Sequence, residues 1–174
     1  MNNAYHLDQP AIAVEREWIS AAKKDPKCFS PIYDRYFDAI FVFIYRRTGN
    51  EDLAADLCSA TFLKALQYLK RYEDRGLPFA AWLYRIASNE VNKFYRKTKK
   101  RMVFILEESM VGKILNVEED NFDEERITQL SYYLGTLSTT ELMMLELRFF
   151  ESKGFKEIAY INGYKSIKGN WRGM

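Results

Sequence analysis

Four polar side chains in the segment "AAWLYRIASNEVNKFYRKTKKR" (residues 80–101) have types and a spacing suited to nucleic-acid contact. Arg85, Asn89, Asn92 and Arg96 follow one another at intervals of four, three and four residues. A helix would therefore carry all four on one outward stripe. Asparagine and arginine are well suited to hydrogen-bonding base edges, whereas clustered lysines suit phosphates.

The same segment ends in a cluster of positive charge. Six cations lie between Lys93 and Arg101, and Lys97, Lys99, Lys100 and Arg101 crowd the last turn. Cations at a helix C-terminus complement the helix dipole, which accounts for two or three of them. Two interpretations of the segment therefore remain open: a nucleic-acid surface and a solvated helix face.

Composition excludes several function classes. The net charge of the 174 residues is only +2, so any nucleic-acid binding must come from local clustering. One histidine, His6, and two cysteines, Cys28 and Cys58, cannot supply a four-ligand zinc site. Both cysteines are expected to be buried, reduced thiols. The sequence carries neither a Ser-His-Asp set nor a phosphate-binding loop, so we expect no enzymatic activity and no cofactor.

The hydropathy pattern predicts a cytoplasmic protein. No apolar run approaches the roughly 20 residues that cross a bilayer, so no membrane insertion is expected. The N-terminal "MNNAYHLDQP" lacks the basic start and apolar stretch of a signal peptide.

Helical periodicity predicts an all-α protein with two small helical domains joined by an acidic linker. The expected units are an N-terminal tail or helix (1–24), a helical bundle (25–105), the linker (106–126) and a helix-turn-helix unit (127–174). Ser30 is expected to cap the first long helix of the bundle and Gly49 to end it. Asn50 opens the next helix, and Ser138 with Glu141 forms a capping-box pattern.

The helical spacing also predicts which side chains face the core. In the second long helix these are Ala55, Cys58, Phe62, Ala65 and Leu69, and in the third they are Phe79, Trp82, Leu83, Ile86 and Phe94.

Two stretches resemble a known family. "DLCSATFLKAL", followed by "GLPFAAWLYRIASNEVNKFYRKTKKR", resembles the second conserved region of bacterial RNA polymerase sigma factors. "LSTTELMMLELRFFESKGFKEIAYI" resembles the fourth region, which opens that family's C-terminal helix-turn-helix. The compact two-domain layout is similar to that of the extracytoplasmic-function group. The resemblance covers roughly residues 29–161.

The resemblance implies partners and binding residues. In this family, core RNA polymerase is gripped through the coiled coil of its largest subunit, which here implies contacts from Asp52, Asp56, Leu57 and Phe62. Phe62 also suits a plain core position, whereas an exposed Asp56 would have no packing role. An anti-sigma factor is a further partner that the resemblance implies.

The resemblance also implies how promoter DNA is bound. The loop from Tyr72 to Gly76, with Tyr72, Asp74 and Arg75, matches the segment that captures a base flipped from the minus-ten element. The stripe of Arg85, Asn89, Asn92 and Arg96 matches the helix that meets the same element. The further implied DNA-binding residues are Lys97, Lys99, Lys100, Arg101, Lys168 and Arg172.

Two positions depart from the family pattern. Ala60 stands where the family commonly has Glu, which is expected to weaken a polymerase contact. After Gly163 the sequence "YKSIKGNWRGM" is shorter than the family's recognition helix and is interrupted by Gly169. We therefore expect an incomplete helix-turn-helix, with the downstream promoter element bound better than the upstream one.

Three functions are compatible with these residues. The leading hypothesis is a sigma factor that binds core RNA polymerase and directs promoter recognition, DNA melting and transcription initiation. The alternatives are a helix-turn-helix regulator that binds DNA independently of polymerase, and a degenerate sigma-like interaction protein. Co-purification with core polymerase would separate the first from the second.

Overall fold

The computed structural model describes residues 9–99, residue 102 and residues 124–164. Its helices are α1 (Gln9–Lys24), α2 (Ser30–Thr48), α3 (Glu51–Tyr68), α4 (Phe79–Thr98), α5 (Glu124–Thr136), α6 (Thr139–Phe149) and α7 (Phe155–Ile161). Two short 3-10 turns, Pro26–Phe29 and Leu69–Arg71, precede α2 and follow α3. These described ranges contain no strand, and the predicted all-α class is confirmed.

Several helix ends lie where the local sequence predicts them. Gly49 ends α2 with a φ of +61°, a conformation that favours glycine, and its N–H donates to the Tyr45 carbonyl at 2.9 Å. The Asn50 side chain accepts the N–H of Leu53 at 2.7 Å and opens α3.

The capping box that begins α6 is also present. Ser138 and Glu141 each accept a hydrogen bond from the other's backbone N–H. The start of α2 differs from the prediction, since Ser30 is already helical and its hydroxyl donates to Asp34. The physical reason is that Asp25 caps the preceding 3-10 turn, which runs directly into α2.

Helices α2, α3 and α4 pack around one hydrophobic core. Fully buried side chains include Ile40 and Phe43 of α2, Cys58 of α3, and Leu83 and Val91 of α4. Of the expected core positions on α4, Phe79 and Leu83 are buried, while Trp82, Ile86 and Phe94 are only half-buried at the helix margin.

Two predicted core positions are wrong. Cys28 is exposed because it lies in the 3-10 turn before α2, outside the helical spacing. Ala55 is exposed, and its neighbour Ala54 is buried in its place. Cys58 is buried as expected, and this burial raises the pKa of its thiol to about 12.

The C-terminal helices lie against the N-terminal bundle. Met143 and Leu147 of α6 and Ile158 and Ile161 of α7 belong to the same hydrophobic cluster as the α2–α4 core. Helix α7 packs on α4, the helix that carries the Arg85–Arg96 stripe. No described helix is both long and apolar enough to cross a membrane.

Candidate polymerase and nucleic-acid interfaces

The outer face of α3 carries acidic and apolar side chains together. Asp52 and Asp56 are exposed, and Leu63 is 57% exposed although it is apolar. Positions 52, 56, 59 and 63 are spaced four, three and four residues apart, so they share one stripe. An exposed leucine flanked by carboxylates is suited to a protein partner that offers an apolar contact and basic groups.

The other two residues expected to bind polymerase lie in the core. Leu57 is 9% exposed and Phe62 is 4% exposed. The Phe62 ring packs against Tyr33 at 4.8 Å and Phe37 at 6.3 Å between ring centroids. Burial removes both side chains from direct contact with a partner, so their role here is to support the exposed face of α3.

The stripe on α4 is outward for most of its length. Asn89, Asn92 and Arg96 are exposed, and Lys97 and Lys99 are exposed at the end of the helix. Their amide and cationic groups are therefore free to meet base edges and phosphates. Lys100, Arg101, Lys168 and Arg172 lie outside the described residues.

The loop between α3 and α4 is held by α1. The Lys23 ammonium donates to the Tyr72 carbonyl at 2.7 Å and lies 5.5 Å from the centroid of the Tyr72 ring. That ring packs on Phe79 at 4.9 Å and Trp82 at 5.0 Å. Burial, with Asp74 next, raises the pKa of the Tyr72 hydroxyl, so it stays neutral at ordinary pH. Tyr72 is therefore a fixed aromatic wall.

Asp74 shapes the loop between α3 and α4 through two contacts. One carboxylate oxygen accepts the N–H of Gly76 at 2.8 Å, where the backbone turns with a φ of +70°. The other pairs with Arg16 of α1 at 2.9 Å. The Asp74 side chain remains 42% exposed, so these contacts fix the loop, and the DNA contact expected of Asp74 stays a prediction.

A groove of about 330 Å³ lies between this loop and α4. Its volume is at the lower end of the range of about 300 to 1,000 Å³ for ligand pockets. Three arginines line it against one glutamate, and three aromatic rings form its walls. The lining residues are Arg71, Tyr72, Glu73, Arg75, Trp82, Arg85, Ile86, Asn89 and Tyr160. Cationic charge beside aromatic walls is the combination that binds unstacked bases.

Arg85 differs from the rest of its stripe. Its side chain is half-buried, and the guanidinium carbon lies 4.9 Å from the centroid of the Tyr160 ring of α7. Expecting Arg85 to be as open to solvent as Asn89 is therefore wrong. The physical reason is that α7 packs on α4 and covers this end of the stripe.

A buried charged cluster lies where α6 and the following turn meet α2 and α4. Arg47 pairs with Glu146 at 2.5 Å, and Arg46 pairs with Glu151 at 3.2 Å. The Tyr84 hydroxyl donates to the second carboxylate oxygen of Glu151. Arg47, Glu146 and Glu151 are each at most 4% exposed. Because charges are rarely buried without partners, these pairs fix how the C-terminal helices sit on the bundle.

Burial also changes the protonation of this cluster. It raises the pKa of Glu146 to about 7, although the charge of Arg47 opposes the shift. Burial lowers the pKa of Lys153, whose ammonium lies 4.8 Å from the centroid of the Tyr84 ring. Within the described ranges no group of three or more His, Cys, Asp or Glu side chains is arranged to hold a metal ion.

Sequence reasoning missed three contributors to these surfaces. Leu63 gave a usable signal, since it falls on the Asp52–Asp56 stripe at helical spacing. Arg71 lies next to the loop expected to capture a base, so an extension by one residue would have included it. Tyr160 gave no signal, because only the packing of α7 on α4 brings it to the groove.

Comparisons with known proteins agree with this geometry. The family description Sigma-70 region 2 matches residues 32–101, which contain α3, the loop, the groove arginines and the α4 stripe. The ECF RNA polymerase sigma factor BldN of Streptomyces coelicolor is 29% identical over 142 residues, which are 78% of this chain and 52% of BldN. The RNA polymerase sigma factor YlaC of Bacillus subtilis is 26% identical over 147 residues, 80% of this chain and 82% of YlaC. The chain thus spans about half the length of BldN and most of YlaC.

A solved structure supports the fold. The structure of CnrH in complex with the cytosolic domain of CnrY matches with a TM-score of 0.55 and 19% identity, covering 85% of this chain and 82% of the matched chain. At this identity the likeness concerns the fold alone. The matched region 2 and the named relatives show that this chain is similar to RNA polymerase sigma factors of the extracytoplasmic-function group.

Proposed function

We propose that this chain binds core RNA polymerase through the exposed face of α3 and directs it to promoters whose minus-ten element meets the groove and the α4 stripe. One observation carries the proposal. The region 2 helices, with Tyr160 of α7, form a cationic, aromatic-walled groove directly beside exposed Asn89 and Asn92. Asn89 lines the groove and also belongs to the stripe. A single DNA strand could therefore place one base in the groove and its neighbouring bases along the stripe.

The chemistry of the groove suits strand opening without a cofactor. Unstacking a base costs a few kcal/mol, and stacking it on an aromatic or guanidinium plane returns about 1–3 kcal/mol. One captured base therefore offsets about one unstacking step. Arg96, Lys97 and Lys99 supply phosphate contacts along the same helix, which add affinity for every sequence. In this proposal the chain catalyses no reaction itself.

Binding to core polymerase also implies a location and a further partner. A protein that binds core polymerase works in the cytoplasm. The solved structure of CnrH contains the cytosolic domain of a second protein, CnrY, which supports the proposal that this chain also has a protein regulator of the anti-sigma type.

The polymerase arm is tested with Asp56→Arg. The reversal places a cation where the proposal puts an acidic contact, so affinity for core polymerase should fall at least tenfold, about 1.4 kcal/mol. The matched control is Asp38→Arg, an exposed aspartate of α2. Binding is measured by fluorescence anisotropy of the labelled full chain. If both variants bind core polymerase as tightly as the wild type, the proposed polymerase contact at Asp56 of α3 is wrong.

The promoter arm is tested by transcription with core polymerase on a library of genomic fragments, with transcript 5′ ends sequenced. Asn89→Ala should change which promoters are used, because it removes a side chain that reads base edges. The matched control is Gln67→Ala, an exposed amide on α3. If Asn89→Ala gives the same promoter set as the control, the stripe does not read sequence.

A further inference from the structure

Helix α1 contacts the loop between α3 and α4 at its first residue and in its middle. This loop, residues 72–78 (the capture loop), runs from the 3-10 turn after α3 to the start of α4. The Lys23 ammonium donates to the Tyr72 carbonyl at 2.7 Å. The Arg16 Nε donates to an Asp74 carboxylate oxygen at 3.0 Å, and Nη2 lies 2.9 Å from the same oxygen. Two cations of one helix therefore hold the loop at two points.

A buried carboxylate of α1 fixes the far end of the capture loop. Glu15 is only 4% exposed. One of its oxygens accepts the Tyr36 hydroxyl of α2, and the other accepts the N–H of Phe79, the first residue of α4, at 3.4 Å. Pro78 gives α4 no side-chain cap, and the first turn of α4 carries no acidic residue. Glu15 therefore supplies from α1 the negative charge that favours a helix N-terminus.

The contacts inside the capture loop are local or exposed. Asp74 accepts the N–H of Gly76 at 2.8 Å, which shapes a single turn. Glu73 pairs with Arg75 at 3.6 Å, but both side chains are more than 60% exposed, and such pairs contribute little. The position of the loop relative to α4 therefore depends on the contacts from α1.

Tyr72 stands between the groove and a second cavity. This second cavity, of about 330 Å³, lies between the capture loop and α1, and Tyr72 lines both spaces. The loop supplies Tyr72, Glu73 and Arg75 to the groove, whereas α4 supplies the facing wall with Trp82. Because open space lies behind the loop, packing alone does not set the width of the groove. The polar contacts from α1 set it.

We propose that α1 determines the base preference of the groove without touching DNA, with Arg16 and Lys23 as positioning residues for the capture loop. The inference rests on the function proposed for the groove. A loop held in place loses little conformational freedom when a base enters, so the fit of the base decides its affinity. Without these contacts Tyr72 would shift relative to Trp82, and the groove would accept the four bases more equally.

The test is transcription with core polymerase on promoters randomised across the minus-ten element, with the transcripts sequenced for each variant of the full chain. Arg75→Ala identifies the promoter position read in the groove, as the position at which it reduces base preference. Lys23→Met should reduce the ratio between best and worst base there about fivefold, because a hydrogen bond from a charged donor is lost. Arg16→Gln should reduce it about threefold, because its pair is partly exposed. Preference at the positions read by the α4 stripe should stay unchanged.

The matched control is Lys24→Met, which removes the same charge from an exposed neighbouring position of α1. It should keep the preference of the wild type. An equal loss at every promoter position would indicate general damage to the fold, and an equal loss in Lys24→Met would indicate an effect of charge alone. Either result would overturn the positioning role, as would an unchanged preference in Lys23→Met and Arg16→Gln.

Hydrogen–deuterium exchange of the full chain measures the loop directly. The amides of residues 73–77 should exchange at least about threefold faster in Lys23→Met and Arg16→Gln than in the wild type, with the buried amides of α3 unchanged. Lys24→Met should exchange as the wild type does. Loop exchange at the wild-type rate in both α1 variants would refute the positioning role.

The two proposals fail in different ways. If the wild type transcribes and Arg75→Ala reduces preference at one position, but the α1 variants do not, only the role of α1 is wrong. If the wild type does not transcribe, or Arg75→Ala changes no preference, the function proposed for the groove is wrong and this inference is wrong with it.

Discussion

Removing the hydroxyl of Tyr84 should loosen the C-terminal helices from α4. Tyr84 is fully buried, and its hydroxyl donates to Glu151, which lies just after α6. Tyr84→Phe keeps the ring, which packs on Phe43 at 4.9 Å and lies beneath the Lys153 ammonium at 4.8 Å. The substitution therefore removes a hydrogen bond between the two parts of the chain and keeps the packing of the ring.

The expected loss of unfolding free energy in Tyr84→Phe follows from the charge of its partner, Glu151. A hydrogen bond to a charged group contributes about 1.5–3 kcal/mol. Glu151 keeps its pair with Arg46 at 3.2 Å, so it is not left alone in the interior. We therefore expect a loss of about 2 kcal/mol in the free energy of unfolding. At about 2–4 °C per kcal/mol for a chain of this size, Tm should fall by about 4–8 °C.

The assay is urea unfolding followed by circular dichroism, applied to Tyr84→Phe, Glu151→Gln and the double variant. In a double-mutant cycle the two substitutions should be coupled by at least about 1 kcal/mol, because both act on the same hydrogen bond: Tyr84→Phe removes its donor and Glu151→Gln removes the charge of its acceptor. Tyr68→Phe, at a 48%-exposed tyrosine of α3, is the control and should be neutral. A coupling below about 0.5 kcal/mol would show that the C-terminal unit is not seated on α4 as described.

Three further outcomes are expected. Phe62→Ala should cost about 3–5 kcal/mol in urea unfolding because its ring is buried among aromatic neighbours, whereas Leu63→Ala, at a 57%-exposed site, should cost less than about 0.5 kcal/mol. Replacing Lys97 and Lys99 with Gln should reduce the slope of log K against log salt by about 0.9 per lost duplex phosphate contact, with promoter preference unchanged. Burial raises the pKa of Glu146 from its ordinary 4.5 to about 7, so the folded chain binds this proton more tightly than the unfolded chain. The resulting gain in the free energy of unfolding is complete below about pH 4.5 and is lost as pH rises through 7. Glu146→Gln should therefore make Tm less dependent on pH between about pH 5 and 8.

Local features of this protein were determined by the sequence alone. Gly49 and Asn50 place the end of α2 and the start of α3, because the chemistry of a helix end involves only a few neighbouring residues. The exposure of Asn89, Asn92 and Arg96 followed from helical spacing for the same reason. The resemblance to sigma factors was also carried by contiguous segments, and the match to region 2 confirms it.

Contacts between distant segments were decided only by the tertiary structure. Helical spacing alone made Arg85 a solvent-facing member of its stripe, yet the packing of α7 on α4 sets it against Tyr160. The pair between Asp74 and Arg16 of α1 is likewise a contact that only the fold brings about, because the two residues lie 58 positions apart.

The burial of charged side chains was also decided only by the tertiary structure. Glu146 and Glu151 are buried, although a glutamate is almost never fully buried unless it is paired. Their partners Arg46 and Arg47 lie about a hundred positions away, at the end of α2. Helix propensity and side-chain periodicity act over a few residues, whereas the pairing of buried charges depends on which elements the fold brings together.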